Sequence, residues 1–285
     1  MATPRPAADL DPAYLSGRLR SRTVGRSLEI VEAAGSTNDL AKAAGAAGSP
    51  DGHAVLADRQ TAGRGRLDRA WESPGGLGLY LSLLLRPPVP AHRAPLLTLA
   101  AGVAVCEALQ EVAGVAPGLK WPNDVLIDGR KVTGILAELS TAGSVIQQVV
   151  VGIGVNVNHT PEDFPEGLRE TAGSLRMATG RTMRRDAVAA ALFNRFERLY
   201  DLFCAGRREV ILEAVRARSV VLSRRVAVLD GAERWEGLAV DLDPDGALLV
   251  RDDAGTLRCV QAGEVSIRPA GDRWTVKDSQ GSRTS

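Results

Sequence analysis

Gln60-Thr61-Ala62-Gly63-Arg64-Gly65-Arg66-Leu67-Asp68-Arg69-Ala70-Trp71 places three arginines and two glycines between residues 63 and 69 and closes on a tryptophan. Glycine lets backbone N–H groups approach an anion and takes the backbone angles of a tight turn. Arginine presents a fixed fork of donors matched to phosphate or carboxylate oxygens. Trp71 offers a flat apolar face on which a base or ring can rest. Read alone, the stretch is equally a solvated basic loop tip, so its meaning depends on its surroundings.

Upstream, Leu28 to Val31 reads as a strand and Ala54 to Ala57 as a second, feeding the basic loop. Between them Ser36-Thr37-Asn38 precedes a helical run from Asp39. Such residues are helix N-caps by default, and those not used for capping are free to meet a polar ligand. Downstream, Gly78 to Leu85 is a near-continuous apolar strand ended by Pro87-Pro88, and Leu96 to Val112 has the spacing of a helix lying on a sheet. Asp128-Gly129 marks a two-residue hairpin between Val125-Leu126-Ile127 and Lys131 to Glu138. Val145 to Val157 is a strand whose Gly152 and Gly154 mark close approach of backbone to something.

Residues 160 to 184 read as loop. Helices are expected over Asp186 to Phe203 and Arg208 to Arg218, and short strands separated by Asp-Gly and Ala-Gly turns follow Ser223. The chain divides into an extension over 1–27 that packs lightly or stays mobile, a main α+β domain over 28–222, a β-barrel module over 223–270 and a polar tail over 271–285.

Lys and Arg total 35 against 34 Asp and Glu, a net charge of +1, so there is no global pull toward nucleic acid or anionic membrane. Anion binding is therefore local. Cys106, Cys204 and Cys259 are widely spaced and suggest neither zinc site nor disulfide framework, which fits a cytoplasmic protein. The N-terminus lacks the apolar core of a signal peptide, and Leu96 to Cys106 is too short to span a bilayer. No Walker A or Rossmann motif and no Ser-His-Asp arrangement is visible, and His53, His92 and His159 read as surface or strand-end residues. Lys120 and Lys131, on neighbouring elements, can with Asn156 surround a polyphosphate and its Mg²⁺, an ion that keeps several waters and few protein ligands.

Five segments in order carry a resemblance: Ser36-Thr37-Asn38, the 60–71 loop, Lys120-Trp121-Pro122-Asn123-Asp124, Gly129-Arg130-Lys131-Val132-Thr133-Gly134-Ile135-Leu136, and Gly152-Ile153-Gly154-Val155-Asn156-Val157-Asn158. Together with Gly263 to Arg268 they resemble the successive motifs of the biotin protein ligase family. The resemblance implies a mixed-sheet catalytic domain of the biotin/lipoate ligase type and an SH3-like barrel. It also implies a two-step reaction: biotin and ATP give biotinyl-5′-AMP, then the biotinyl group passes to a lysine of a biotin carboxyl carrier domain, with Mg²⁺ as cofactor. By resemblance, Ser36, Thr37, Asn38, Gln60, Arg64, Gly65, Arg66, Lys131 and Gly134 contact biotin. Arg66, Arg69, Trp71, Lys120, Asn123, Lys131, Asn156 and Arg268 contact ATP, and Asn156 the metal. Arg66 and Lys131 are the candidate catalytic pair.

The chain is too short before residue 28 for a helix-turn-helix reader, so a ligase without repressor arm or DNA partner is expected, as a monomer or weak homodimer. Lipoate or octanoate transfer is the runner-up, although enzymes of that kind lack the Gly-Arg-Gly-Arg run. A non-catalytic biotin-binding protein is a third reading, disfavoured by Arg66 and Lys131. One departure stands out. Asp68 occupies a position where the family commonly has glycine, and a positive φ there suits Asp less well than Gly. Three like charges and two glycines also predict a disordered loop over 63–70.

Overall fold

The computed structural model describes residues 9–143, 145–230, 233–262 and 265–269. The polar tail from residue 271 and Gly263-Glu264 of the last motif lie outside the described residues. The main domain is built on a seven-stranded sheet of order β1-β2-β3-β7-β6-β5-β4. Its strands are β1 (Leu28–Ala34), β2 (His53–Gln60), β3 (Gly78–Leu85), β4 (Gly118–Lys120), β5 (Asp124–Ile127), β6 (Arg130–Ala142) and β7 (Val145–Asn156). Only β1 and β2 pair in parallel; the other neighbours are antiparallel. The sheet is mixed, as the resemblance implies.

The helices are α1 (Pro12–Arg18), α2 (Thr37–Ala46), α3 (Ala94–Ala113), α4 (Leu175–Thr179), α5 (Arg185–Cys204) and α6 (Arg208–Arg218). Strand alternation divides the sheet's side chains between two faces. Leu79, Leu81, Leu83 and Leu85 of β3 join the main core with α3, which is apolar on nearly every side and ends on Gly114 in the left-handed region (φ 68°). Residues Ala91–Ala113 are long and apolar enough to cross a membrane by composition, and 72% of their most apolar 18-residue window is buried inside the fold. A helix apolar all round is a core helix here, covered by the sheet on one side and by α5 and α6 on the other.

The opposite face of the sheet decides where a ligand can go. There α2 packs Ala41 on Val55, Leu84 and Val150. By register Leu84 faces Val150, Ser82 faces Gly152 and Tyr80 faces Gly154. The helix therefore covers one end of this face, and at the other the large residues give way to glycine. Asp128-Gly129 closes the β5–β6 hairpin with φ of 50° and 74°, as the turn requires.

The C-terminal module is one antiparallel sheet, β11-β10-β9-β8-β12, of β8 (Arg224–Asp230), β9 (Glu233–Leu242), β10 (Leu248–Asp252), β11 (Leu257–Val260) and β12 (Val265–Pro269). Trp121 fastens it to the main domain by donating its indole N–H to the Gly246 carbonyl at 2.9 Å.

The expected light packing of the N-terminal segment is not what residues 9 to 27 do. Leu15 and Val24 are fully buried. The Arg185 guanidinium, 4% exposed, pairs with Asp9 at 2.5 Å and with Asp58 at 2.8 Å. The Glu197 carboxylate accepts the backbone N–H groups of Arg22, Thr23 and Val24 at 2.6, 2.8 and 3.0 Å. His159, read as a surface residue, is 1% exposed and stacks on Phe164.

Burial raises the Glu197 carboxyl pKa, but the three N–H donors and Arg22 outweigh it and hold the value below the ordinary 4.5. A folded-state pKa below the unfolded one contributes stability above the unfolded value and loses it as pH falls through the folded one. Wild type should therefore exceed Glu197→Gln in stability above about pH 5, and the gap should shrink steadily as pH drops below the unfolded carboxylate range of about 4.3. Urea denaturation of both proteins between pH 3 and 7 checks this; a gap that does not change with pH contradicts it.

Candidate active site

A tight cleft with a cavity volume of about 50 Å³ occupies the glycine end of the α2-side face. Its lining joins Ser36, Thr37, Asn38, Gln60, Arg64, Gly65, Arg66, Trp71, Asn123, Lys131 and Gly134, residues from four separate segments. Arg69, Lys120, Asn156 and Arg268 do not line it. Arg69 is exposed. Asn156 is 5% exposed, with its amide nitrogen donating to the Gly173 carbonyl at 3.0 Å. Arg268 is close enough to Lys120 for its charge to act there.

One end of the cavity is neutral and densely hydrogen-bonded. Ser36 stands at the N-cap of α2 yet makes no side-chain cap bond, so the default capping reading is not how this helix starts. Thr37 and Asn38, both buried, are engaged elsewhere. Gln60 Oε1 accepts the Thr37 backbone N–H at 2.9 Å and its hydroxyl at 3.1 Å. The Asn38 amide donates to Glu138, and the buried Ser82 hydroxyl lies 2.8 Å from Thr37 Oγ1 and 2.6 Å from Asn38 Oδ1. A small polar ring with both donors and acceptors suits such a surface; a lone anion does not.

The other end is cationic. Asp124 is a buried carboxylate with Lys131 Nζ at 2.6 Å and Lys120 Nζ at 3.3 Å. Burial raises its pKa, but the two lysines more than reverse this and keep it ionised below the usual carboxylate value. Burial pushes the Lys120 ammonium below its ordinary pKa, with Asp124 opposing and Arg268 and Lys131 adding to the shift. Arg66 is lowered first by burial, with Asp124 again opposing. Its guanidinium donates to Asn123 Oδ1 at 3.1 Å and to the Ala262 carbonyl of the C-terminal module at 2.8 Å. Three cations thus gather round one carboxylate, an excess of positive charge in a low-dielectric setting that a polyanionic ligand balances.

The 61–72 loop roofs the cavity. The expected disorder is not what the structure shows: Arg64 and Ala70 form a β-bridge, Gly65 N–H donates to the Arg69 carbonyl at 2.7 Å and Trp71 N–H to the Gly63 carbonyl at 2.9 Å. Charge repulsion is met by counter-charges distant in sequence. Arg64 is bidentate on Asp39 at 2.8 and 2.5 Å, with Glu138 3.7 Å away and Lys42 2.6 Å from that same Glu138. Asp39, Asp124 and Glu138 are functional-site neighbours absent from the residues expected on sequence; Asp124 could have been found four residues after Lys120, the others only in the fold.

Trp71 lies over the sheet: a Cβ on Gly154 or Gly134 would overlap its indole. One on Gly152 would overlap the Asn38 amide. The close approach expected of Gly152 and Gly154 is thus made by the protein's own side chains. Lys131 Nζ sits 5.3 Å from the indole centroid, and the indole Nε1 is buried without a partner among the described residues.

Mixed sheet and site set the class first. Residues 32–156 match the model of the Biotin/lipoate A/B protein ligase family, and residues 221–268 match the Biotin protein ligase C terminal domain. The chain is 37% identical over 246 residues to the bifunctional ligase/repressor BirA of Bacillus subtilis, spanning 86% of this chain and 75% of that protein. It is 35% identical over 267 residues to the biotin–[acetyl-CoA-carboxylase] ligase of Mycobacterium tuberculosis, spanning 90% and 96%. The biotin protein ligase of Aquifex aeolicus in complex with biotin and ATP superposes with a TM-score of 0.74 at 32% identity, over 86% of this chain and 100% of that one. The chain belongs to the biotin protein ligase family, and it is an enzyme that ligates biotin.

Asp68 and Leu67 both have positive φ, 53° and 57°. The loop does hold Asp68 in the left-handed region, where a non-glycine residue costs about 1–2 kcal/mol and Asp pays the least of the non-amide residues. Asp68→Gly should leave the thermal midpoint within about 4 °C. Asp68→Val, β-branched, should speed amide exchange at Gly65 and Trp71 by roughly tenfold. Unchanged exchange in the valine variant contradicts the strain argument.

Proposed function

We propose that the chain activates biotin as biotinyl-5′-AMP and transfers it to a specific lysine of a biotin carboxyl carrier domain. The observation that carries this reading is the division of one cavity into a neutral end and a cationic end. The neutral end, with Ser36, Thr37, Asn38 and Gln60, fits the ureido ring, which both donates and accepts. The cationic end receives the valerate carboxylate and the triphosphate. Two anions repel, and Lys131 and Arg66 offset that repulsion while holding them in contact.

In the first step a biotin carboxylate oxygen attacks the α-phosphorus; a P–O bond forms, the bond to the bridging oxygen breaks, and pyrophosphate leaves. Charge moves onto the phosphoryl and leaving oxygens, where Arg66 and Lys131 supply fixed donors. In the second, the acceptor lysine's amine attacks the acyl carbon of the mixed anhydride, AMP leaves, and the amine loses a proton. No protein nucleophile is required. In this reading the nucleotide is met by Trp71 and Asn123 of the lining, with Arg69, Lys120 and Arg268 outside it as further cationic candidates, and Gly65 and Gly134 give backbone room at the centre. Arg64, paired with Asp39 and Glu138, keeps the roof over biotin.

Mg²⁺ bound with the triphosphate would neutralise part of its charge. Asn156, its amide nitrogen fixed by Gly173, is the candidate side-chain oxygen for that ion. The runner-up, lipoate or octanoate, would leave the hydrogen-bonding groups around Thr37, Asn38 and Gln60 unmatched by an aliphatic chain.

With biotin, MgATP and a carrier domain, one lysine of the carrier should gain a biotinyl group, read by mass spectrometry. Lys131→Ala and Arg66→Ala should each slow this by roughly a hundredfold or more while biotin still binds. Octanoate as the better substrate, or full rate in both variants, overturns the reading.

A further inference from the structure

Ser73 lies outside the cavity lining, is 5% exposed, and joins the neutral subsite to the roof. The Gln60 amide nitrogen donates to Ser73 Oγ at 2.9 Å, and that hydroxyl donates to the Trp71 carbonyl at 2.9 Å. Backbone bonds fasten the same place: Gln60 N–H donates to the Ser73 carbonyl at 3.1 Å and Trp71 N–H to the Gly63 carbonyl at 2.9 Å. The two limbs of the loop touch here so closely that a Cβ on Gly63 would overlap the Trp71 carbonyl.

On its other side Gln60 holds Thr37 through Oε1. The Thr37 hydroxyl gives its one proton to Gln60, so it accepts from Ser82. Ser82 then has no proton left for Asn38 Oδ1, so the buried chain of side chains runs Ser82, Thr37, Gln60, Ser73, and ends on the backbone carbonyl of the residue whose indole lies on Gly134 and Gly154. The Gln60 amide keeps a second N–H beyond the one on Ser73, so a ligand that accepts it, or that draws on Thr37, acts on the orientation of the amide that holds Ser73.

We propose that Ser73 is a positioning residue that couples occupancy of the ureido subsite to closure of the 61–72 loop, acting through Gln60 and never touching the ligand. This rests on the reading of the Thr37 and Gln60 end as the biotin ring subsite. Ser82 lies on the same chain but away from the hinge, so the two serines separate binding from coupling. Loss of the Ser82 hydroxyl disturbs Thr37 and Asn38 and weakens binding; loss of the Ser73 hydroxyl cuts the link to the loop.

The test compares full-length wild type, Ser73→Ala and Ser82→Ala by biotin calorimetry and by amide hydrogen exchange over residues 63–70, with and without saturating biotin. Wild type should gain protection with biotin. Ser73→Ala should bind biotin roughly three- to tenfold more weakly and, once saturated, gain less than a third of the wild-type protection. Ser82→Ala should bind more weakly by a similar factor yet gain the full protection at saturation. Ser73→Cys, which keeps the volume and weakens both hydrogen bonds, carries the same expectation if the alanine variant folds poorly. Full biotin-induced protection in saturated Ser73→Ala, or equal loss of it in Ser82→Ala, overturns the coupling. Wild type that binds biotin without added protection at 63–70 also overturns it and leaves the proposed function standing. Wild type that binds no biotin removes the functional reading itself.

Discussion

One buried carboxylate organises the cationic half of the molecule. Asp124 lets Lys120 and Lys131 sit near Arg66 in a low-dielectric cleft, where three like charges without a counter-ion would force each other apart or lose protons. The neutralisation is partial by design of the geometry: one negative charge against three positive ones leaves a field directed into the cavity. The β4–β5 corner that presents Lys120 and Asp124 also carries Trp121 and Asn123. Trp121 binds the C-terminal module, and Asn123 binds Arg66. Fold, module placement and site electrostatics thus share the five residues 120–124.

The second constraint is room. Glycines at 134, 152 and 154 clear one face of β6 and β7 of side chains, which lets Trp71 and Asn38 lie against bare backbone. Hydroxyl and amide groups at the opposite end are held by bonds to one another, which fixes their positions before a ligand meets their remaining donors and acceptors. The result is a cleft with two chemically distinct ends about a shared centre at Lys131.

Local rules made most of this legible in the sequence. The β3 strand, the Asp128-Gly129 hairpin and the α5 and α6 helices follow from periodicity and turn chemistry that operate over a few residues. The glycine-bearing strands and basic loop pointed to close backbone approach and to anions. What was not legible depends on partners far apart in the chain. Arg185 finds Asp9 across 176 residues, which packs the N-terminal segment that its Ala, Pro and Arg content suggested was loose. Arg64 finds Glu138, and Lys42 reaches it across 96 residues, which folds a loop whose own charges predict disorder. His159 is buried because Phe164 stacks on it, a pairing no spacing rule announces.

The central claim is that the two ends of the cavity bring a biotin carboxylate to the α-phosphate of ATP. Biotin-dependent exchange of labelled pyrophosphate into ATP, measured on the wild-type chain with no acceptor present, tests it most directly. Exchange that requires biotin, and that octanoate does not support, is the expected result. Exchange that proceeds equally without biotin, or no exchange from protein shown to bind both biotin and ATP, contradicts it.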